Sequence, residues 1–535
     1  MEISIGNYLT SVASTISGIK KNRVISRIWQ KDYHLWSSIP TEISNRLGWL
    51  TLPETMPSQI DSLISFADEI KELGFRHVVL LGMGGSSLGA EVFRQTYGSA
   101  DGYPKLIVLD STVPASIMAI TEAIDPKHTL FIVSSKSGTT TETNLLFLYF
   151  EDLVSAAIGK AYAGDNFIAI TDSGTPLSVL ATEKKFRHIF LTPSDIGGRY
   201  SVLSFFGLVP AVLAGIDIAA ILRRAVKMHD QAGCLDPDNN AAAQLGAILG
   251  SLTLQGRNKF TLITSPCISS FGVWVEQLLA ESTGKNGTGI VPVIDEPLLE
   301  YTSYGNDRIF VYLRVQDDAN SSLDGAVRNI KNSGHPVVLI NLHDKLDLGA
   351  EFFRWEFATA IAGQILNVNP FNQPDVEATK AATRKILKQT VESGHLSEIT
   401  LSLSPLTLLT GTSPGDYLAI LAYIPRNYET DNAISSLRKK IAEKYHIATT
   451  LGYGPRYLHS TGQLHKGGPS GGLFLQINAE HKNDLKIPGK PYTFGTLVDA
   501  QAIGDLQTLQ LRERCIARIQ VKEGLADLNN LATSV

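Results

Sequence analysis

Five short apolar runs, HVVLLGM, KLIVLD, TLFIVSS, NFIAITD and HIFLT, recur between residues 77 and 192, separated by longer amphipathic segments. Runs this rich in Val, Ile and Leu, without polar alternation, suit strands buried on both faces, and parallel strands need crossover helices between them. The rhythm resumes near residue 240: helical AAAQLGAILGSLTLQ, KFTLITS, a helix around Val275, RIFVYLRV, a helix, PVVLINL and two helices to about Val391. Two doubly wound parallel-sheet units in tandem, of the α/β class, follow from this order. Before them, residues 1–55 carry helical patches and three tryptophans (Trp29, Trp36, Trp49) punctuated by Pro40 and Pro53, as in a wrapping arm. After them, DYLAILAYIP, SSLRKKIAEKYH and the Gly-rich GYGPRYLHSTGQLHKGGPSGGLFLQI predict a smaller C-terminal α/β unit. The expected boundaries are 1–55 for the arm, 56–235 and 236–395 for the two sheet units, and 396–535 for the last unit.

Composition narrows the function classes. With 535 residues, 44% of them hydrophobic and 19% charged, there is material for several cores. A net charge of -5 argues against a general nucleic-acid binder. Cys234, Cys267 and Cys515 lie far apart with no CxxC pair, so neither a disulfide framework nor a zinc site is expected, and a reducing compartment fits. MEISIGNYLTSVAS lacks a basic segment leading into an apolar core, so no signal peptide is expected. The apolar stretch from Ser201 to Leu222 is broken by Pro210, Asp217 and two glycines, and reads as two buried helices rather than a membrane span. The expectation is a cytoplasmic protein with no nucleic-acid or membrane partner.

Two loops carry the chemical signal. The first strand runs into Gly82-Met83-Gly84-Gly85-Ser86-Ser87-Leu88-Gly89 and then a helix. Glycines after a strand let a ligand approach the backbone, and a helix start presents free N–H groups to an anion. A dinucleotide site is one reading, with Asp110 at the end of the next strand placed for a ribose hydroxyl. The spacing Gly82-x-Gly84-x-x-Ser87 lacks the third glycine of that fingerprint. The loop after the third strand, SSKSGTTTET, gathers six hydroxyl side chains between Ser134 and Thr141 around Lys136 and Gly138, at the entry to a helix. One helix cap needs one such residue. Six hydroxyls with a lysine instead suit the oxygens of a phosphate.

With these motifs in order, the sequence resembles the glucose-6-phosphate isomerases, whose two halves are sugar-isomerase (SIS) domains. Gly84, Gly85 and Ser86 match the family's glycine loop, and Ser135, Lys136, Ser137, Gly138, Thr139 and Thr140 its phosphate loop. GGRYS matches Gly197–Ser201, EQLLAESTGK brings Gln277 and Glu281, and FNQPDVEATK brings Gln373 and Lys380. The resemblance runs from about 60 to 395. The flanking RIWQKDYHLWSSIPTEISNRLGWL and TTLGYGPRYLHSTGQLHKGGP are similar to the isomerase half of bacterial transaldolase/isomerase fusions, with no transaldolase barrel present. The resemblance implies interconversion of glucose 6-phosphate and fructose 6-phosphate with no metal and no cofactor, and a homodimer. Broader specificity (mannose 6-phosphate) and a non-catalytic sugar-phosphate sensor are the other readings.

Moving a proton between C2 and C1 through an enediolate needs one base over both carbons, a cation for the oxyanion, and groups to open the sugar ring. Gln277 and Glu281, spaced i,i+4, project from one helical face, and the resemblance makes Glu281 the base. An i,i+4 surface pair of Glu281 with Lys285 is the plain alternative. Arg199, after two glycines, suits a spreading oxyanion. Pro374 favours a helix start with Gln373 near its N-cap and Lys380 two turns along the same face; the resemblance has Lys380 aid ring opening and Gln373 contact substrate. Family members carry a ring-opening histidine between the glutamate and the late lysine, but here the matching stretch reads Tyr304-Gly305-Asn306-Asp307-Arg308. His335 and His343 flank a strand and fit poorly. His459 and His465 lie on a Gly-rich loop of the C-terminal unit, and of these His465 is taken as the catalytic candidate.

Overall fold

The computed structural model describes residues 1–396, 403–521 and 525–534. The expected start of the last unit near 396 falls partly on residues 397–402, outside the described residues. The strands are β1 (Glu2–Ser4), β2 (His77–Gly82), β3 (Lys105–Leu109), β4 (Thr129–Ser134), β5 (Phe167–Asp172) and β6 (His188–Thr192), then β7 (Lys259–Thr264), β8 (Val291–Val293), β9 (Arg308–Val315) and β10 (Val337–Leu342). Then come β11 (Tyr417–Tyr423), β12 (Ala448–Tyr453), β13 (Gly472–Ala479) and β14 (Cys515–Val521).

They form three α/β sheets. The first is wholly parallel in the order β3-β2-β4-β5-β6. The second is β1-β10-β9-β7-β8, parallel except for β1, which pairs antiparallel with β10 at the edge. The third is parallel in the order β12-β11-β13-β14. The arm thus contributes a strand as well as helices; Glu2–Ser4 is too short to show a period in sequence. Pro292 sits in β8, an edge strand where its missing N–H leaves no ladder bond unmade.

One apolar cluster runs from the arm through β2 and β4 to the helices Ala241–Leu254 and Leu348–Ile365, so the first two sheets share a core. Trp49 is fully buried beside Tyr200, Phe353 and Phe357, and Trp36 donates its indole N–H to the Ala360 carbonyl at 2.8 Å. Each such aromatic contributes on the order of 2–3 kcal/mol of burial, so the arm is part of the core rather than a strap across it. The apolar stretch after Ser201 forms two buried helices, Phe205–Leu213 and Ile218–Ala232, begun by the side-chain caps of Ser204 and Asp217. Among the described residues no helix is long and apolar enough to cross a membrane.

The strand order of the first sheet reverses between β2 and β4. Their C-terminal ends are paired, Gly82 opposite Ser134, so both ligand-type loops leave the sheet side by side. That crevice is where open α/β sheets bind ligands.

Candidate active site

A cavity of about 470 Å³ opens at this point. Gly84, Gly85 and Ser86 line one wall, and Lys136, Ser137, Thr139 and Thr140 another. Gly84 has φ +54°, and a Cβ there would come 2.5 Å from the His459 carbonyl oxygen, so only glycine allows that approach. In the hydroxyl loop Ser135 Oγ lies 3.0 Å from Thr140 Oγ1 and accepts from the Gly138 N–H at 3.1 Å. Ser135 and Gly138 do not line the cavity; they shape the loop. Thr140 is the N-cap of the helix Thr141–Ile158 but makes no side-chain capping bond. The Thr140 hydroxyl is therefore not spent on capping, and a helix start of this kind presents N–H groups to an anion. Lys136, on the cavity wall, has its ammonium ion-paired with Asp172 and donating to the Ser194 carbonyl.

The helix Phe271–Thr283 brings Gln277 and Glu281 into the cavity, both buried. Glu281 Oε1 lies 3.3 Å from Arg199 Nη1, and Glu281 Oε2 accepts from Gln277 Nε2 at 2.9 Å. Lys285 does not pair with Glu281 in a surface bridge. Its ammonium is buried and donates to the carbonyls of Ser282 and Asn369. Arg199 is held on every side: Nε donates to Ser282 Oγ (2.8 Å), Nη1 to Gln373 Oε1 (2.8 Å), and Nη2 to the carbonyls of Pro370 (2.7 Å) and Asn372 (3.0 Å). A carboxylate and a guanidinium fixed side by side can remove a carbon-bound proton and stabilise the resulting oxyanion.

The late helix starts at Val376 with Asp375 at its N-cap, two residues beyond the expected start. Asp375 sets this start, being ion-paired with Arg512 and bonded to Gln463 through both its N–H and its carboxylate. Lys380 lines the cavity from this helix, with its ammonium 2.7 Å from Glu377.

The histidine in the cavity is His459. Its Nε2 lies 2.9 Å from Glu142 Oε1, which also accepts from Gln501 Nε2 at 2.6 Å. Burial alone would lower the imidazole's pKa, but the Glu142 carboxylate outweighs it and the net direction is up. For Glu142 burial raises and His459 lowers, and the net direction is down. The pair therefore favours an imidazolium beside a carboxylate. The His459 carbonyl accepts from Gln277 at 2.8 Å, tying the third unit to the Glu281 helix. The expectation for His465 is corrected. It lies one position away from Lys466 on the short helix Gly462–Gly467; Lys466 lines the cavity, while the His465 ring is buried against Tyr457 and Phe474 and does not. Burial holds its pKa well below the ordinary value.

Sequence reading missed Glu42 and Arg46, which reach the cavity from the arm, and Arg384 and Gln501. Only Glu142 stood in a motif, within SSKSGTTTET. Asp110, the ribose candidate, lines a separate cavity of about 150 Å³ and faces Arg456 at 3.5 Å.

A hydroxyl-rich loop at a helix start, a buried glutamate–arginine couple and a carboxylate-paired histidine around one cavity are the parts of a sugar-phosphate isomerase. The phosphoglucose isomerase family model matches residues 67–295. The glucose-6-phosphate isomerase of Staphylococcus saprophyticus is 30% identical over 380 residues, covering 63% of this chain and 86% of the relative; that of Clostridium novyi is 29% identical over 381 residues, covering 62% and 85%. Among solved structures, a hypothetical protein of Thermus thermophilus superposes with a TM-score of 0.61 at 22% identity, over 72% of this chain and 99% of that one. The glucose-6-phosphate isomerase of Chlamydia trachomatis gives 0.58 at 18%, over 70% and 86%. The chain belongs to the glucose-6-phosphate isomerase family.

Proposed function

We propose that Glu281 carries the proton between C2 and C1 of the open-chain sugar while Arg199 neutralises the developing enediolate. The enzyme interconverts glucose 6-phosphate and fructose 6-phosphate. The observation that carries the assignment is the 3.3 Å approach of Arg199 to Glu281 inside the cavity that the hydroxyl loop closes at one end. In this reading Ser86, Ser137, Thr139 and Thr140 bind the phosphate with the free N–H groups of the helix start. Gln277 Oε1, buried and without a donor among the described residues, accepts a sugar hydroxyl. Gln373, fixed by Arg199, contacts the sugar beside it. His459, cationic through Glu142, protonates the ring oxygen, and Lys380 assists at the cavity mouth.

The arm (1–55) and the units 56–235, 236–395 and 396–535 all contribute to this centre; the three sheets support the three α/β units, while β1 joins the arm to the second of them. Pairing as a homodimer is proposed from the resemblance. Each chain supplies its own base, cation, cradle and imidazole, so kcat is expected to stay constant on dilution through the dimer–monomer range followed by light scattering. A cytoplasmic site of action is supported by three unpaired cysteines.

The test is a coupled assay that supplies fructose 6-phosphate and follows glucose 6-phosphate. Glu281→Gln should lower kcat about 10²–10⁴-fold. Equal turnover by the two proteins removes Glu281 from the mechanism, and an inactive wild type that still binds sugar phosphate supports a sensor instead.

A further inference from the structure

Lys285 is a buried amine that the mechanism above does not use. It follows the helix that carries Glu281, and its ammonium donates to two backbone carbonyls, Ser282 at 3.1 Å and Asn369. These are not arbitrary acceptors. Ser282 is the residue whose hydroxyl receives Arg199 Nε at 2.8 Å. Asn369 opens the segment whose Pro370 and Asn372 carbonyls receive Arg199 Nη2, and whose Gln373 receives Nη1. Asn369 also folds that segment, accepting the Phe371 N–H on its Oδ1 at 2.9 Å. The lysine thus ties the end of the Glu281 helix to the segment that cradles the guanidinium, and reaches both the base and its cation through one bond each.

From these contacts we propose that Lys285 is a positioning residue for the Glu281–Arg199 couple, fixing their separation by clamping residues 369–373 onto the helix end. The proposal rests on Glu281 and Arg199 being the working pair. Burying an ammonium is costly unless each donor is used. Burial, with Arg199 nearby, holds the Lys285 pKa well below its ordinary value, and the amine has N–H donors for both carbonyls in either protonation state. A methionine of similar length would fill the space without that cost, which makes the two carbonyl bonds the distinguishing feature. Such a clamp acts on the reacting groups and leaves the phosphate cradle, on the first sheet, untouched.

The experiment compares wild type, Lys285→Met, Lys285→Arg and Lys285→Gln in the coupled assay, with inorganic phosphate as a competitive probe and thermal melts on the same samples. Lys285→Met should lower kcat about 10- to 100-fold while KM and the phosphate inhibition constant move less than about threefold. Arg and Gln, which retain N–H donors, should recover part of kcat. Combining Lys285→Met with Ser282→Ala should give a loss smaller than the product of the single losses, since both loosen the same guanidinium. Lys285→Gln against wild type gives the reading should the Met variant not fold. Wild-type kcat in folded Lys285→Met, a parallel change in kcat and phosphate affinity, or fully multiplicative losses would overturn the proposal. Glu281→Gln run alongside separates the two levels: if it is as active as wild type, the base assignment fails, whereas if it is inactive and the lysine variants are unaffected, only the clamp does.

Discussion

Replacing His459 by Gln isolates one step of the reaction. The imidazole Nε2 stands 2.9 Å from Glu142, and the carboxylate keeps a second donor, Gln501, at 2.6 Å. Removing one partner of a buried charge pair costs about 3–5 kcal/mol. Gln501 remains and a glutamine amide restores part of the contact, so the expected stability loss is about 1–2 kcal/mol. The chemical loss is larger: an absent general acid slows ring opening about 10²–10⁴-fold. Fructose 6-phosphate turnover should fall by that factor in kcat with little change in KM. A four-carbon aldose phosphate, whose phosphorylated O4 cannot close a five-membered ring, bypasses the step. Solvent deuterium exchange at its C2, followed by NMR, should stay within about fivefold of wild type in His459→Gln and collapse in Glu281→Gln. Equal losses in both assays would refute the ring-opening role and move His459 into the proton transfer; no loss in either would leave it a structural residue. The pair also sets a pH window for stability. The raised His459 pKa contributes fully below its ordinary 6.5 and is lost as pH rises through the folded value; the lowered Glu142 pKa contributes fully above its ordinary 4.5 and is lost as pH falls through the folded value. The stability gap between wild type and variant, from denaturant titrations, should be widest between about pH 4.5 and 6.5.

Of the cations lining the cavity, Lys136, Arg199, Lys380 and Lys466 each face a carboxylate, whereas Arg46 and Arg384 have no ion-pair partner among the described residues. Arg46→Gln is expected to raise KM for fructose 6-phosphate about tenfold with kcat nearly constant and to weaken the salt dependence of KM, measured from about 20 to 300 mM salt, as for any charge-assisted contact of about 1.5–3 kcal/mol. Gly84→Ala should lose at least about tenfold in kcat/KM, because a Cβ 2.5 Å from the His459 carbonyl must displace it from Gln277. Glu356 is fully buried with neither carboxyl oxygen bonded among the described residues, and burial raises its pKa well above the ordinary value. A raised carboxyl penalises folding above its unfolded pKa, so Glu356→Leu should stabilise the protein by about 1–4 kcal/mol at neutral pH in denaturant titrations, with the gap narrowing as pH falls toward the ordinary value of about 4.5 and this contribution gone below it.

Much of this was legible from residues alone where chemistry is local. The five apolar runs became β2 to β6 in one parallel sheet because a doubly buried strand has no alternative to a continuous hydrophobic run. The hydroxyl loop reached the cavity because the strand order reverses beside it. What stayed hidden depends on long-range packing. Glu42 and Arg46 lie in a stretch whose resemblance was visible but whose cavity role was not; they arrive there because Trp36 and Trp49 anchor the arm in the shared core. His459 and His465 share one loop and one composition, and only the turn of a short helix and the pairing with Glu142, 317 residues earlier in the chain, tell them apart. The pairing of Lys136 with Asp172, at the end of a neighbouring strand, was likewise not legible in the loop's own sequence.

The contacts join into one path that explains why the third unit belongs to the active site although its motifs are weak. Gln501 holds Glu142, Glu142 holds the His459 ring, the His459 carbonyl holds Gln277, and Gln277 shares Glu281 with Arg199, which holds Gln373. The path begins on a helix of the third unit, crosses the first unit at the hydroxyl loop's own helix, and ends in the second unit at Gln373. Each link is buried or half-buried, so breaking one leaves a polar group without its partner at a cost of about 1–3 kcal/mol. Glu281 is thereby oriented from the third unit, through His459 and Gln277, and charge-balanced from the first by Arg199. If His459 opens the ring as proposed, the imidazole comes from the same chain as Glu281 and Arg199, and the proposed chemistry calls on no partner's side chain.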